Sequence, residues 1–245
     1  MSFDNIDIHS EQGNLLTFGN PELDRRIGGL PIPSLNLIEG PNDSGKTIIS
    51  QQITYGALVN GFKVLFITTE GTSKGLINQM KALHWNVEDY FLNGDLKITP
   101  LHTAGMAWNS EISKYYLTAL TNFVKKKLER IDVVIIDSLT HLVTHADAND
   151  VLDFFSSCRY IVDTLSKTFI ITMHPYALDQ DLLIRIRAFC DGHFILEIRT
   201  FRNKSALTMT ISKLRGATQP VNEIISFEVS PAFGIKILPF MTARG

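Results

Sequence analysis

Two hydrophobic periods run through this chain. Short apolar runs rich in β-branched residues predict buried strands, and apolar positions three and four apart predict helices. Leu35, Leu37 and Ile38 mark a first strand over 35–39. Strands follow over 63–68, 96–99, 132–136 and 168–172. After Lys46 the apolar positions Ile49, Ile53 and Ala57 recur at helical spacing. Leu117, Leu120, Val124 and Leu128 predict a helix over 113–130. Val151, Phe155, Cys158, Val162 and Leu165 place one face of another on the core. Strands alternating with helices from 35 to about 187 predict a parallel sheet covered on both faces. Beyond Gly192 the helical period stops. Residues 193–200, 206–213, 224–229 and 234–238 read as successive antiparallel hairpin strands on the sheet edge. Residues 28–31 read as a turn before the first strand.

Composition narrows the class. The chain has 245 residues, 44% hydrophobic and 20% charged, with a formal net charge of −2. That is a globular composition with no global pull toward nucleic acid. No linker and no internal repeat divides it, so the expected organisation is a flexible extension over 1–15 and one domain over 16–245. No apolar run approaches a membrane span, and the first residues show no signal-peptide pattern. Cys158 and Cys190 lack metal-ligand spacing and read as reduced core thiols of a cytoplasmic protein. The Lys125-Lys126-Lys127 run fits a solvated helix face.

The chemistry concentrates at Gly40-Pro41-Asn42-Asp43-Ser44-Gly45-Lys46-Thr47. This run fits G-x-x-x-x-G-K-[ST] without mismatch, between a predicted strand and a predicted helix, as a phosphate-cradling P-loop requires. The glycines let the backbone wrap so that its N–H groups meet phosphate oxygens, and the helix N-terminus adds partial positive charge. Lys46 is expected to reach the β- and γ-phosphates and Thr47 to ligate Mg²⁺. The bound species is read as a purine nucleotide.

Two carboxylates stand at strand ends, where open α/β sheets bind ligands. Asp137 closes the β-branched run Val133-Val134-Ile135-Ile136, a candidate to hold Mg²⁺ or to orient Ser138. Glu70 follows the second strand, a candidate to polarise an attacking water. His174, after the fifth strand, is a candidate phosphate sensor or a hydrogen-bonded loop histidine. His141 and His145, four apart near Asp147, look like a metal pair but lack a third ligand or base motif. Trp85 reads as a packing residue. Arg202 and Lys204 fall at a hairpin tip.

Together these segments resemble the KaiC-like group of RecA-fold ATPases over about residues 17–240. Phe18-Gly19 through Asp24, with Gly28-Gly29-Leu30-Pro31, resembles that group's motif ahead of the P-loop. Leu83-His84-Trp85-Asn86 is similar to its F-G-W-D segment at the Trp alone, and Ser212-Lys213-Leu214-Arg215-Gly216 resembles its K-x-R-G segment. The stretch 225–239, Phe227-Glu228-Val229 through Gly234-Ile235-Lys236 to Pro239, resembles the C-terminal hairpin of the archaellum accessory ATPases within the group.

The resemblance implies a RecA-like fold binding ATP and Mg²⁺, with Lys213 and Arg215 acting in trans on a neighbouring subunit's γ-phosphate. It implies a homo-oligomer, a hexameric ring, docked beside the archaellum motor ATPase and the membrane platform and ring proteins. The location implied is cytoplasmic, at the inner face of the membrane through those partners. The chain departs from the group at one point. KaiC-type sites carry two adjacent glutamates after the second strand, and here the pair reads Glu70-Gly71. Losing a base worth about 10²–10⁴-fold slows turnover and spares binding. The leading expectation is therefore a nucleotide-dependent assembly factor with slow or absent hydrolysis. An active KaiC-type signalling ATPase is the alternative. A RecA/RadA-like DNA recombinase ranks lower. The stretch 139–150 holds no Lys or Arg, and 175–187 sets two arginines against Asp179 and Asp181. No nucleic acid is expected as a partner.

Overall fold

The computed structural model describes residues 15–103, 105–201, 204–219, 224–231 and 234–239. All of the expected extension but Leu15 lies outside them, as does Arg202. The described chain opens with a short strand β1 (Leu15–Leu16) and helix α1 (Pro21–Ile27). Asn20 caps α1, its side-chain oxygen accepting from the N–H groups of Glu22 and Leu23. Asp24 reaches back to accept from the Phe18 and Asn20 N–H groups. Gly28 ends the helix in the left-handed region at φ 79°. Leu30–Pro31 was expected in a turn. It forms strand β2 instead, antiparallel to β1, because the two positive-φ glycines already complete the reversal.

The main sheet begins with β3 (Leu35–Glu39), and helix α2 (Lys46–Val59) follows the P-loop. Then come β4 (Val64–Thr68), α3 (Ser73–Ala82), α4 (Glu88–Asn93), β5 (Leu96–Pro100) and α5 (Ser110–Lys125). Next are β6 (Val133–Asp137), α6 (Thr140–Val143), α7 (Ala148–Leu165), β7 (Thr168–Met173) and α8 (Gln180–Phe189). The chain closes with β8 (Gly192–Phe201), β9 (Lys204–Leu214), β10 (Ile224–Ser230) and β11 (Gly234–Ile237). Among the described residues nine strands lie in the order β11-β10-β9-β8-β3-β7-β6-β4-β5. From β8 to β5 neighbours are parallel, and from β8 outward to β11 they are antiparallel.

Period-2 alternation shows why the central strand β6 is apolar up to its last residue. In β6, Val133 and Ile135 face one core with Ile49, Ile53 and Met80, while Val134 and Ile136 face the other with Leu120, Phe155 and Val162. A strand buried on both faces admits a polar side chain only where partners satisfy it, as Asn36 of β3 donates to the Ser34 hydroxyl and the Phe169 carbonyl.

Two expected helix details differ. The helix expected over 113–130 starts at Ser110, where Asn109 accepts from the Ile112 N–H, and ends at Lys125. A separate 3-10 turn, Leu128–Arg130, then carries Leu128 into the core. Leu165, expected on the buried face, is exposed because α7 stops there and Ser166 turns left-handed at φ 52°. The three lysines 125–127 are exposed, both cysteines are buried, and Trp85 is buried against the hairpin at Gly234. Burial pushes the Cys190 thiol up to about 12 and that of Cys158 higher still.

One contact ties the start of the chain to the P-loop helix. A Cβ on Gly56 would lie 2.2 Å from the Thr17 carbonyl oxygen and 2.5 Å from the Phe18 carbonyl carbon. Only glycine allows this approach. Gln52 reinforces it by donating to the Phe18 carbonyl at 2.6 Å.

Candidate functional site

The P-loop folds as its sequence requires. β3 ends at Glu39, and Gly45 at φ 93° turns the chain into α2. A Cβ at Gly40 would sit 2.4 Å from the Ser44 hydroxyl and 2.8 Å from the Leu196 carbonyl oxygen. Lys46 folds over the loop and donates to the Gly40 and Pro41 carbonyls at 2.9 and 2.7 Å. Burial lowers the Lys46 pKa, opposed by the charges of Asp137, Glu70 and Asp43.

A cavity of about 630 Å³ opens over this loop, within the range of small-molecule sites. Its floor is Asn42, Asp43, Gly45, Lys46 and Thr47; Glu70 and Gly71 enter after β4, Asp137 from β6, and His174 after β7. These predicted residues are therefore brought together, with Gly40, Pro41 and Ser44 completing the loop. Lys213 and Arg215 do not line the cavity of their own chain. Lys213 donates to the Arg187 carbonyl at 3.1 Å, and Arg215, 62% exposed, lies 3.6 Å from Asp191. His141 and His145 are exposed, and the described residues hold no group of three or more potential metal-binding His, Cys, Asp or Glu.

Asp137 is the electrostatic centre. It is 3% exposed and accepts from the Thr172 hydroxyl at 2.6 Å. Burial raises its pKa, against hydrogen bonds from Thr172 and Thr47, so the charged form lacks full compensation. Thr47 and Asp137 together offer a hydroxyl and a carboxylate, hard oxygen donors that suit Mg²⁺. The loop N–H groups, the α2 N-terminus and Lys46 suit phosphate oxygens. Glu70 is exposed within the cavity and accepts from the Ser138 hydroxyl at 3.3 Å. A side chain at Gly71 would meet no atom within 4 Å, so sterics do not impose the missing carboxylate.

Several lining groups carry weak sequence signals. Leu207 of β9 and Val229 of β10 wall the cavity from the C-terminal hairpins. Gln79 of α3 lines it and accepts from Gln51 of α2 at 2.7 Å. Thr172 stands one residue before the end of β7, a position where a polar side chain in an apolar strand is itself a signal.

A second buried cluster lies directly beneath the loop. Glu39 is 2% exposed and accepts from the Arg187 guanidinium at 2.8 and 2.6 Å. His193 Nε2 lies 3.0 Å from the same carboxylate. Burial pushes the Glu39 pKa up, but Arg187 and His193 outweigh it and hold the group below its usual value.

Comparison with known proteins places this geometry. A family model described as "ATPase: KaiC" matches residues 16–241. The archaeal flagellar ATP-binding protein FlaH of Sulfolobus acidocaldarius is 34% identical, over 94% of this chain and 99% of that protein. The Methanocaldococcus jannaschii FlaH is 29% identical over 88% and 91%. The crystal structure of the flagellar accessory protein FlaH from that organism superposes with a TM-score of 0.82 at 27% identity, covering 94% of this chain and 100% of that one. A KaiC-like protein from Pyrococcus horikoshii shares the fold, with a TM-score of 0.71 at 21% identity over 92% and 99%. The P-loop beneath a RecA-like sheet, and the match along nearly the whole chain, put this protein in the KaiC-like ATPase family, among the FlaH proteins.

Proposed function

We propose that the chain is an ATP-binding regulatory and assembly ATPase of the archaellum motor, a single domain from residue 16 onward. It forms a nucleotide-dependent ring with slow or absent hydrolysis. One observation carries the reading: the cavity gathers Lys46, Thr47 and Asp137 at the phosphate end, while Gly71 leaves open the space for a second carboxylate. Relatives named as flagellar ATP-binding and flagellar accessory proteins support the motor assignment.

The residues divide the work. Loop N–H groups hold the β-phosphate, and Lys46 neutralises the β- and γ-oxygens after exchanging its loop carbonyls for them. Thr47 and Asp137 would hold Mg²⁺, which would supply neutralising charge beside the phosphates. Glu70 alone is placed to orient a water, and with no neighbouring carboxylate the water is weakly activated. Lys213 and Arg215, absent from their own chain's cavity, meet the γ-phosphate of the next subunit in a hexameric ring. ATP thus favours the assembled state by binding it more tightly. The ring docks beside the motor ATPase and the membrane platform and ring proteins on the cytoplasmic side. No helix among the described residues is long and apolar enough to cross a membrane, and attachment runs through those partners.

Light scattering after size exclusion tests this, with and without Mg-ATP. Wild type grows in mass with Mg-ATP, and Lys46→Ala, losing on the order of 10²-fold in affinity, does not. Turnover of many ATP per second with no change of mass overturns the proposal. A second reading, an active signalling ATPase, draws on Glu70, which lies in the cavity in contact with Ser138. Hydrolysis abolished by Glu70→Gln favours it.

A further inference from the structure

Tyr176 lies just past β7 in an unusual setting. Its side chain is exposed, at 66%, yet its hydroxyl turns inward to His174 Nδ1 at 2.6 Å. The two rings meet edge to face, with centroids 5.0 Å apart and planes at 86°. An exposed ring covers little apolar surface, so burial does not account for the residue. His174 is the opposite case: 7% exposed, it lines the cavity that holds Lys46, Glu70 and Asp137. Its backbone N–H donates to the Thr140 hydroxyl at 3.1 Å, which anchors the loop at this point.

The chemistry of a neutral imidazole makes the contact consequential. One ring nitrogen carries a proton and the other does not, and the partner of one decides the role of the other. Burial, then the charge of Lys46, lowers the His174 pKa and so favours the neutral ring. A terminal phosphate gripped by Lys46 offers only acceptor oxygens. A useful His174 therefore needs its proton on Nε2 and a bare Nδ1. A carbonyl partner at Nδ1 would enforce the wrong tautomer. A tyrosine hydroxyl, unlike a carbonyl, can donate to a bare Nδ1 and so accommodates the right one.

Building on the proposed ATP site, we infer that Tyr176 is a positioning residue for triphosphate over diphosphate selectivity: its hydroxyl donates to His174 Nδ1 and keeps Nε2–H available to the terminal phosphate. The residue acts through His174 and touches no nucleotide. Its contribution is confined to ligands with a γ-phosphate.

Calorimetric titration of the full chain with Mg-ATP and with Mg-ADP reads this directly, in wild type, Tyr176→Phe, His174→Ala and the double variant. Tyr176→Phe lowers the ratio of ATP to ADP affinity about five- to tenfold, the scale of one hydrogen bond, and leaves ADP affinity unchanged. In the His174→Ala background the same substitution has no further effect. Long-range ¹⁵N–¹H spectra of the nucleotide-free protein show His174 protonated at Nε2 in wild type and as a tautomer mixture in Tyr176→Phe. An unchanged affinity ratio in Tyr176→Phe overturns the inference, and so does an effect additive with His174→Ala. Neither result touches the ATP site itself, which fails separately if Lys46→Ala binds both nucleotides like wild type.

Discussion

Two carboxylates end two parallel strands of one sheet, a single strand apart, and they have opposite lives. Glu39 closes β3 and Asp137 closes β6, with β7 between them. Both are almost wholly buried. Glu39 meets a guanidinium and an imidazole, and its pKa falls below the usual value. At Asp137 burial, with the like charge of Glu70, outweighs two threonine hydroxyls and a more distant Lys46, and its pKa rises. A buried charge with its counter-charge in place holds architecture together. A buried charge without one is a standing demand for a cation. Position in the fold is nearly the same, and the neighbours decide which carboxylate is paired within the fold and which is left with its charge uncompensated.

The largest test of this contrast is Asp137→Asn. It lowers Mg-ATP affinity on the order of 10²-fold, read by calorimetry, yet stabilises the nucleotide-free protein by about 1 kcal/mol, read by thermal melting. The sign follows from the raised pKa. Wild type loses stability as pH climbs from the usual aspartate range through the higher folded value, and the Asn variant lacks that loss.

Arg187→Leu inverts the picture by orphaning Glu39. The expected cost is about 2–3 kcal/mol in denaturant unfolding at pH 7, below the full buried-pair penalty because Arg187 is partly exposed and His193 remains. In wild type the lowered Glu39 pKa contributes stability present above the unfolded value and lost as pH falls through the folded one. The variant's deficit therefore shrinks toward acid pH. An equal deficit at pH 4 and pH 7 would sink the charge explanation and leave lost packing.

Gly71→Glu sharpens the functional side. The space is open and the backbone is not in the positive-φ region, so the fold accepts it. ATP turnover should rise about tenfold or more in a steady-state phosphate assay. The smallest effect belongs to Lys213→Ala. In the isolated chain this lysine makes one hydrogen bond to a carbonyl, and its loss changes stability by about 0.5 kcal/mol or less. Its cost should appear in the mass measured with Mg-ATP.

The asymmetry also explains what was legible in the residue string. Asp137 announced itself because a carboxylate after four β-branched residues has no packing reason to be there. The P-loop and the parallel strands were readable for the same local reasons. The Glu39–Arg187 pair was not, since its members lie 148 residues apart and each looks ordinary alone. Helices α3 and α8 carry few buried positions and gave little periodic signal, though α3 brings Gln79 to the cavity. The end of α5 at Lys125 was hidden because Leu128 keeps the helical spacing from within a 3-10 turn. Tyr176 could not be found from type or spacing, because only the tertiary contact turns its hydroxyl toward His174.

The glycine contact at position 56 has a mechanical meaning. Helix α2 is a stiff rod of 14 residues, about 21 Å long, with the phosphate loop at one end. The carbonyls of Thr17 and Phe18 rest on it at Gly56, near the other end. A displacement of Thr17 and Phe18 is thus passed along a stiff helix to the P-loop at its far tip.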